Sequence, residues 1–475
     1  MIPLMHTRCQ YDSVRAGVQY DDVVSNAPEA LPLRGEILIR GAYVMTMSPQ
    51  TGDIAAGDVH VRSGHIAAVG QRLQAPGAEV IDGQGKIVLP GLIDTHTHLW
   101  QSAMRGRFGS TSEQTYFKVR NALADGFRPP DMYQGTLLGA IEALSAGITT
   151  AVDFCHNNRG AEYVAACLQA VRASGIRCRF LFGASTRSLP SQGVDLQELE
   201  RLSGTWSGTV ADAPLTLGLA WRGPLGITAH GSDQPKVPDL AVAREEFVAA
   251  RKLGLPIAVH VSGAPAKRVF DCMHEQDFLG PDVQLVHFTN ACTQDIRLAA
   301  ESGASVALTP LTELRVGYGI TQLSDYLEGG MRVGLGIDSS SLAGNASLFQ
   351  VMKLFQLIEC GRLQRETAIS ARRLLELATL EGARSIGMDS EIGSLEPGKR
   401  ADLILVNTEA LNMGRFTDDP AHLLVEAAQP VNVDTVIVDG RVLKRGGHLV
   451  AVDPERVLRG AVDSIESVAA RAAGG

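Results

Sequence analysis

The chain has 475 residues, too many for one ordinary core and enough for a large α/β barrel plus a smaller domain. Hydrophobic residues make up 45% and charged residues 20%, a globular balance, and no stretch has the uninterrupted apolar length of a membrane span. A net charge of −9 without a basic cluster argues against nucleic acid as the main partner and leaves a small-molecule substrate open.

Residues 1–33 are polar, mixed and aperiodic, and read as a loosely packed N-terminal extension with no assignable role. No apolar segment followed by a small-residue cleavage site is present, so no secretory signal is expected. Seven cysteines (Cys9, Cys155, Cys167, Cys178, Cys272, Cys292 and Cys360) form no CxxC pair. An odd count without that spacing predicts reduced thiols in a cytoplasmic protein, none of them a zinc ligand.

From Glu36 onward, short apolar runs such as Ile37-Leu-Ile, Tyr43-Val-Met and Val59-His-Val alternate with Gly and Asp turns, which predicts small antiparallel strands. After Leu92 the rhythm becomes strand, loop, amphipathic helix, the mark of parallel βαβ units. Eight strands are predicted: 88–95, 149–154, 179–183, 216–221, 257–261, 283–287, 305–308 and 333–337. Helices are expected at 132–146, 240–253, 293–302 and 323–329. The run from Gly393 to Val406 and the run Thr435-Val-Ile-Val return to short strands. The expected fold is therefore an α/β (β/α)8 TIM-like barrel, residues 89–391, with a small β-sandwich domain built from both chain ends, 34–88 and 392–450. A C-terminal helix or tail, 451–475, follows.

His96-Thr97-His98 closes the first barrel strand. Side chains two apart on a strand point the same way, so both imidazoles can reach one metal ion. His260 ends the fifth strand, His287 the sixth and Asp338 the eighth. Singly, a strand-end histidine is usually a satisfied polar residue. Five such groups at the C-terminal ends of barrel strands instead converge on one place, where this architecture carries its catalytic groups. His96, His98, His260 and Asp338 form a nitrogen and oxygen set suited to one divalent metal ion, Zn2+ first, with Fe2+ or Mn2+ as alternatives. The fourth strand offers no lysine for a second metal. An open coordination position would hold a water whose pKa falls to about 7 on zinc.

With these residues the chain resembles the amidohydrolase superfamily, closest to its cytosine deaminase and triazine hydrolase branch. The resemblance rests on Pro90-Gly-Leu-Ile-Asp-Thr-His-Thr-His98 and the following stretch to Gly106, on Ala146-Gly-Ile-Thr-Thr-Ala-Val-Asp153, on His260 and His287, on Gly336-Ile-Asp338, and on Gly393-Ser-Leu-Glu-Pro-Gly-Lys-Arg-Ala-Asp-Leu403. It implies that His96, His98, His260 and Asp338 are metal ligands and that Asp338 takes the proton of the attacking water. It also implies that His287 orients the water or polarises the substrate, and that Gln101 and Arg105 line the pocket.

The chain departs from the branch at two points. Deaminases of this branch carry a glutamate three residues after the strand-five histidine, where this chain has Gly263. They also carry a Pro-His-Ala loop after strand four, where this chain has Ala220-Trp-Arg-Gly-Pro224. Glu313, in the loop after strand seven, is the carboxylate nominated to shuttle protons in place of the missing one; a solvated or Arg315-paired carboxylate is the plainer alternative. Trp100, Phe108, Tyr116 and Trp221 are candidate aromatic walls, His156 a candidate pocket residue, and Arg222 a candidate fork for a substrate carboxylate or carbonyl, unless it pairs with a neighbouring acid. His65, His230, His274 and His448 read as structural or surface residues.

The expected function is that of a metal-dependent amidohydrolase, cleaving a non-peptide carbon–nitrogen bond of a small cyclic or heteroaromatic compound. A lactam ring-opening hydrolase and a non-hydrolytic lyase or isomerase stay open as alternatives, as does an inactive scaffold on the same fold. No nucleic acid or membrane partner is expected, and homo-oligomerisation is left open.

Overall fold

The computed structural model describes residues 31–185, 188–189, 191–209, 214–224, 239–414 and 419–474. The N-terminal extension as far as residue 30, and His230, lie outside these residues.

Eight parallel strands follow one another in sequence order: Leu92–Thr97, Ile148–Cys155, Arg177–Gly183, Leu215–Trp221, Ile257–Val261, Val283–His287, Ser305–Leu308 and Arg332–Leu335. The first and eighth meet through a parallel bridge between Thr97 and Asp338, and the Asp338 N–H donates to the His96 carbonyl at 2.8 Å. The ring therefore closes at the metal-ligand candidates themselves. Alternation along each strand sends Val152, Phe154, Leu181, Ala220, Ala258 and Val286 into one buried cluster inside the barrel. Their sequence neighbours pack outward on the helices.

Helices alternate with these strands and start and stop where local chemistry dictates. Pro129–Ser145 opens with proline, which needs no donor there, and the Asp131 carboxylate accepts from the Arg128 N–H at 2.8 Å. Ala161–Ser174 stops at Gly175, whose φ of 76° suits a residue without a Cβ.

The predicted sandwich takes the form of one hydrogen-bonded sheet of nine strands. Strands Ile37–Met45, Asp53–Arg62, His65–Gly70, Glu79–Asp82 and Lys86–Pro90 come from the start of the chain, and Leu403–Asn407, Val433–Val438, Arg441–Arg445 and His448–Leu449 from its end. Lys86–Pro90 pairs antiparallel with Leu403–Asn407 and joins the two halves. The strand expected at 88–95 is thus two strands: the first belongs to this sheet, the second to the barrel. They are separated by Gly91, where a Cβ would lie 2.0 Å from Thr149 Oγ1, so only glycine fits the crossing.

A buried ion pair fastens the sheet to the barrel. Arg177, at the start of the third barrel strand, donates to Asp402 at 2.5 and 3.1 Å, and Asp402 also accepts from the Asp439 N–H at 2.8 Å.

Candidate metal centre

His96 and His98 sit at the end of the first barrel strand and, as alternation requires, both rings face the barrel axis. Their Nε2 atoms lie 3.3 and 3.2 Å from Asp338 Oδ1. The His260 ring is 4.9 Å from His96 and 5.4 Å from His98, and the His287 ring 5.5 Å from His260, centre to centre. One ligand atom each from His96, His260, His287 and Asp338 falls within 4.8 Å of the others. The strands thus bring all five strand-end residues together.

The donor set fits a metal ion on physical grounds. Both ring nitrogens of His96 and Nδ1 of His260 are buried without a hydrogen-bond partner, an expensive state for imidazoles that a bound metal ion would relieve. Burial pushes His96 down to about 3 and His260 well below the usual histidine range, so both stay neutral and keep a lone pair to offer. Asp338 is held well below the ordinary carboxylate value; burial would raise it, but the close His96 and His98 rings prevail. The imidazoles of His96, His98 and His260 with one anionic oxygen make a zinc-type set.

Surrounding groups fix the rings. His98 Nδ1 donates to the Phe154 carbonyl at 2.7 Å, leaving Nε2 as the metal-facing atom. Asp94 accepts from the Ile337 N–H at 3.0 Å and the His96 N–H at 3.3 Å, lashing the first strand to the eighth; burial raises its carboxyl to about 8. His287 Nδ1 lies 2.9 Å from Thr309 Oγ1 and 3.3 Å from Glu313 Oε1. His287 (φ 68°) and Asp338 (φ 65°) both adopt left-handed backbone, uncommon for residues with a Cβ, and it occurs here at two of the five converging positions.

The remaining sequence candidates divide. His156 is at the site: its ring stacks on His98 at 4.4 Å, and its Nδ1 accepts from Trp100 Nε1 at 3.3 Å. Gln101 is fully buried, accepts from the Tyr116 hydroxyl at 2.8 Å, and its Nε2 has no partner. Arg105 turns to Glu142 and, at 3.0 Å, to the Ser340 hydroxyl, so it braces the rim. Trp221 is not at the mouth. Its neighbour Ala220 fills the barrel, so alternation turns the indole outward onto Phe247 and Phe278, at 5.0 and 5.1 Å. Arg222 is likewise committed elsewhere, donating to the carbonyls of Ser188, Leu189 and Gln192.

Glu313 is neither solvated nor paired with Arg315. It is fully buried behind His287, in the helix Pro310–Arg315, where its carboxylate accepts from the Thr309 N–H at 2.7 Å and from the Thr321 hydroxyl. Gly263 has a φ of 66° and donates its N–H to Thr289 Oγ1 at 3.1 Å, so a side chain there would be strained. The sequence reading missed Phe154, Thr309 and Tyr318. The first two occupy strand ends like the histidines, and that placement was the available signal.

Comparison with known proteins agrees with this geometry. The model of the amidohydrolase family matches residues 87–443. A 5′-deoxyadenosine deaminase of Methanosarcina acetivorans is 30% identical over 449 residues, covering 92% of this chain and 99% of the relative. A 5-methylthioadenosine/S-adenosylhomocysteine deaminase of Desulforudis audaxviator is 30% identical over 446 residues, covering 89% and 96%. Among solved structures, a triazine hydrolase variant superposes with a TM-score of 0.78 at 25% identity over 90% of this chain and 99% of its own. The zinc complex of atrazine chlorohydrolase from Arthrobacter aurescens TC1 gives 0.77 at 24%, over 90% and 100%, a likeness of fold.

Proposed function

The chain belongs to the amidohydrolase family, and on that premise we propose that it hydrolyses the exocyclic carbon–nitrogen bond of an adenine-type nucleoside or a closely similar aminated heterocycle. The observation that carries this reading is the convergence of His96, His98, His260, His287 and Asp338, with ring nitrogens of His96 and His260 left without partners. The printed activities of the relatives supply the substrate class.

In this reading His96, His98, His260 and Asp338 hold one divalent metal ion. When bound, the ion lowers the pKa of a water molecule so that hydroxide is available near neutral pH. Asp338, ionised and within reach of the same space, accepts the proton of the attacking water. Glu313 at Nδ1 favours the His287 tautomer with its proton on that nitrogen, so Nε2 presents a lone pair to the site. His287 then accepts a hydrogen bond from the attacking water and orients it toward the carbon under attack, and the proton taken up by Asp338 passes to the departing amine. Glu313 is therefore read as a positioning residue that acts through His287. Trp100 supports the tautomer of His156 that carries its proton on Nε2, a donor for the bound ring.

Gly263 favours a second reading, hydrolysis of a substituent that departs without needing a proton. No helix among the described residues is long and apolar enough to cross a membrane, and six described cysteines are unbridged, which supports a reducing compartment such as the cytoplasm. A mass-spectrometric screen of the zinc-loaded chain against aminated purines, triazines and lactams tests the reading. Replacement of an amino group by hydroxyl is the expected product. Ring opening, loss of another substituent, or no product from any aminated ring would contradict it.

A further inference from the structure

The N-terminal end of the barrel, opposite the metal centre, holds a cavity of about 260 Å³. Val152, Leu181, Ala258 and Ile386 give it an apolar wall, the underside of the cluster that fills the barrel. Two polar side chains break that wall. Arg179 lies two residues before Leu181 on the third strand and Gln284 two before Val286 on the sixth, so alternation turns both inward beneath the apolar layer. The Arg179 guanidinium donates to the Ile386 carbonyl at 2.6 Å and, through Nε, to Thr216 Oγ1 at 3.4 Å, which leaves Nη2 without a partner. No carboxylate among the described residues forms an ion pair with it: Asp282, also in the lining, gives both oxygens to Arg251 at 2.8 and 3.0 Å, and Glu391 acts only through space. Burial draws Arg179 down to about 10, so it keeps its charge near neutral pH where an uncompensated charge is costly. Gln284 is 8% exposed, and its Nε2 is buried without a partner.

We propose that this cavity is a binding site for a small organic carboxylate with a short apolar body. The carboxylate accepts from Arg179 Nη2 and from Gln284 Nε2, and so supplies the missing countercharge and the missing acceptor together. Its apolar body lies against Val152, Leu181, Ala258 and Ile386, and burying it favours such a ligand over a bare inorganic anion. A neutral amide of the same shape brings no charge to Arg179 and binds more weakly. Arg179 is partly accessible, so the cavity leaves a way in. The site is separate from the chemistry at the metal centre: Gln284 and His287 lie three residues apart on one strand, about 10 Å along it, with the apolar layer between.

The test is calorimetry on the zinc-loaded full chain with isovalerate, isovaleramide and inorganic phosphate as probes. Wild type, Arg179→Met and Gln284→Leu are compared, and zinc content and thermal midpoint are read on each without ligand. Wild type should bind isovalerate saturably, and both isovaleramide and phosphate about tenfold more weakly or worse. Each substitution should weaken isovalerate by about tenfold or more while zinc content stays unchanged. Gln284→Leu exchanges a partnerless buried amide for an apolar side chain, so its midpoint should hold or rise, and it carries the test where Arg179→Met does not fold. Isovalerate bound at wild-type strength by Gln284→Leu, or by a folded Arg179→Met, would place the ligand elsewhere, the metal included, and overturn the inference. So would the absence of saturable isovalerate binding by wild type, or amide or phosphate binding as tight as that of isovalerate.

Discussion

His98 Nδ1 donates to the Phe154 carbonyl at 2.7 Å, and that one bond turns the Nε2 atom of His98 toward Asp338, 3.2 Å away. A backbone acceptor on the second strand thus decides which nitrogen of a first-strand residue can bind metal. The other rings are fixed less directly, and the expected effects of substitution follow from how each is held.

His96→Ala, His98→Ala and His260→Ala should each lose the metal, since removing one of so few ligands leaves an incomplete shell. Metal analysis after zinc loading and desalting checks this. Retention of a full complement by any of the three would remove that residue from the ligand set.

Asp338→Asn should lower kcat by about a thousandfold or more, because an amide offers an oxygen but takes up no proton. His287→Ala should retain metal better than His260→Ala while losing most activity. Equal metal loss in those two variants would make His287 a ligand.

Glu313→Gln separates two roles by size. A residue acting through a neighbouring imidazole changes activity by about 10- to 100-fold, whereas a direct proton shuttle contributes about 100- to 10,000-fold. The buried placement behind His287 leads to the smaller effect, on kcat and not on KM, with metal content unchanged. A larger loss would restore Glu313 as the shuttle.

Acid should destabilise the metal-stripped chain partly through His96. Its folded value, about 3, lies below the ordinary 6.5, so below 6.5 the unfolded chain binds a proton the folded one refuses. Stability falls with falling pH across that window, by about 1.4 kcal/mol per pH unit for this residue. Asp94 and Asp153, raised to about 8 and about 6 by burial, act in the opposite sense and are common to wild type and His96→Asn. The unfolding free energy of His96→Asn, measured between pH 6 and 5, should therefore depend less steeply on pH; identical slopes would contradict the assignment.

Arg177→Met should cost about 3–5 kcal/mol, since it strands the buried Asp402 carboxylate at the junction of sheet and barrel. Denaturant unfolding measures it. A loss below 1 kcal/mol would show that the pair does not fasten the two parts.

The five converging residues were legible because a strand end is visible in sequence and the barrel architecture says where strand ends meet. What lay one residue off that rule was not. Trp221 follows Ala220 on the same strand, and a shift of one position sends it to the opposite face. Arg222 reads as a free cation in sequence, but the carbonyls that hold it come from a loop about 30 residues earlier. Glu313 reads as a loop carboxylate; Pro310 starts a helical turn that carries it inward. Likewise the apolar run through residues 86–95 hides the change of sheet at Gly91, which only the contact with Thr149 reveals.

The most direct measurement is ammonia release from 5′-deoxyadenosine by the metal-stripped chain as zinc is added back. The initial rate should rise in proportion to zinc and level off at one equivalent per chain, the capacity of a single His96, His98, His260 and Asp338 set. No ammonia at any zinc loading, or release at full rate before zinc is added, would contradict a metal-dependent deaminase.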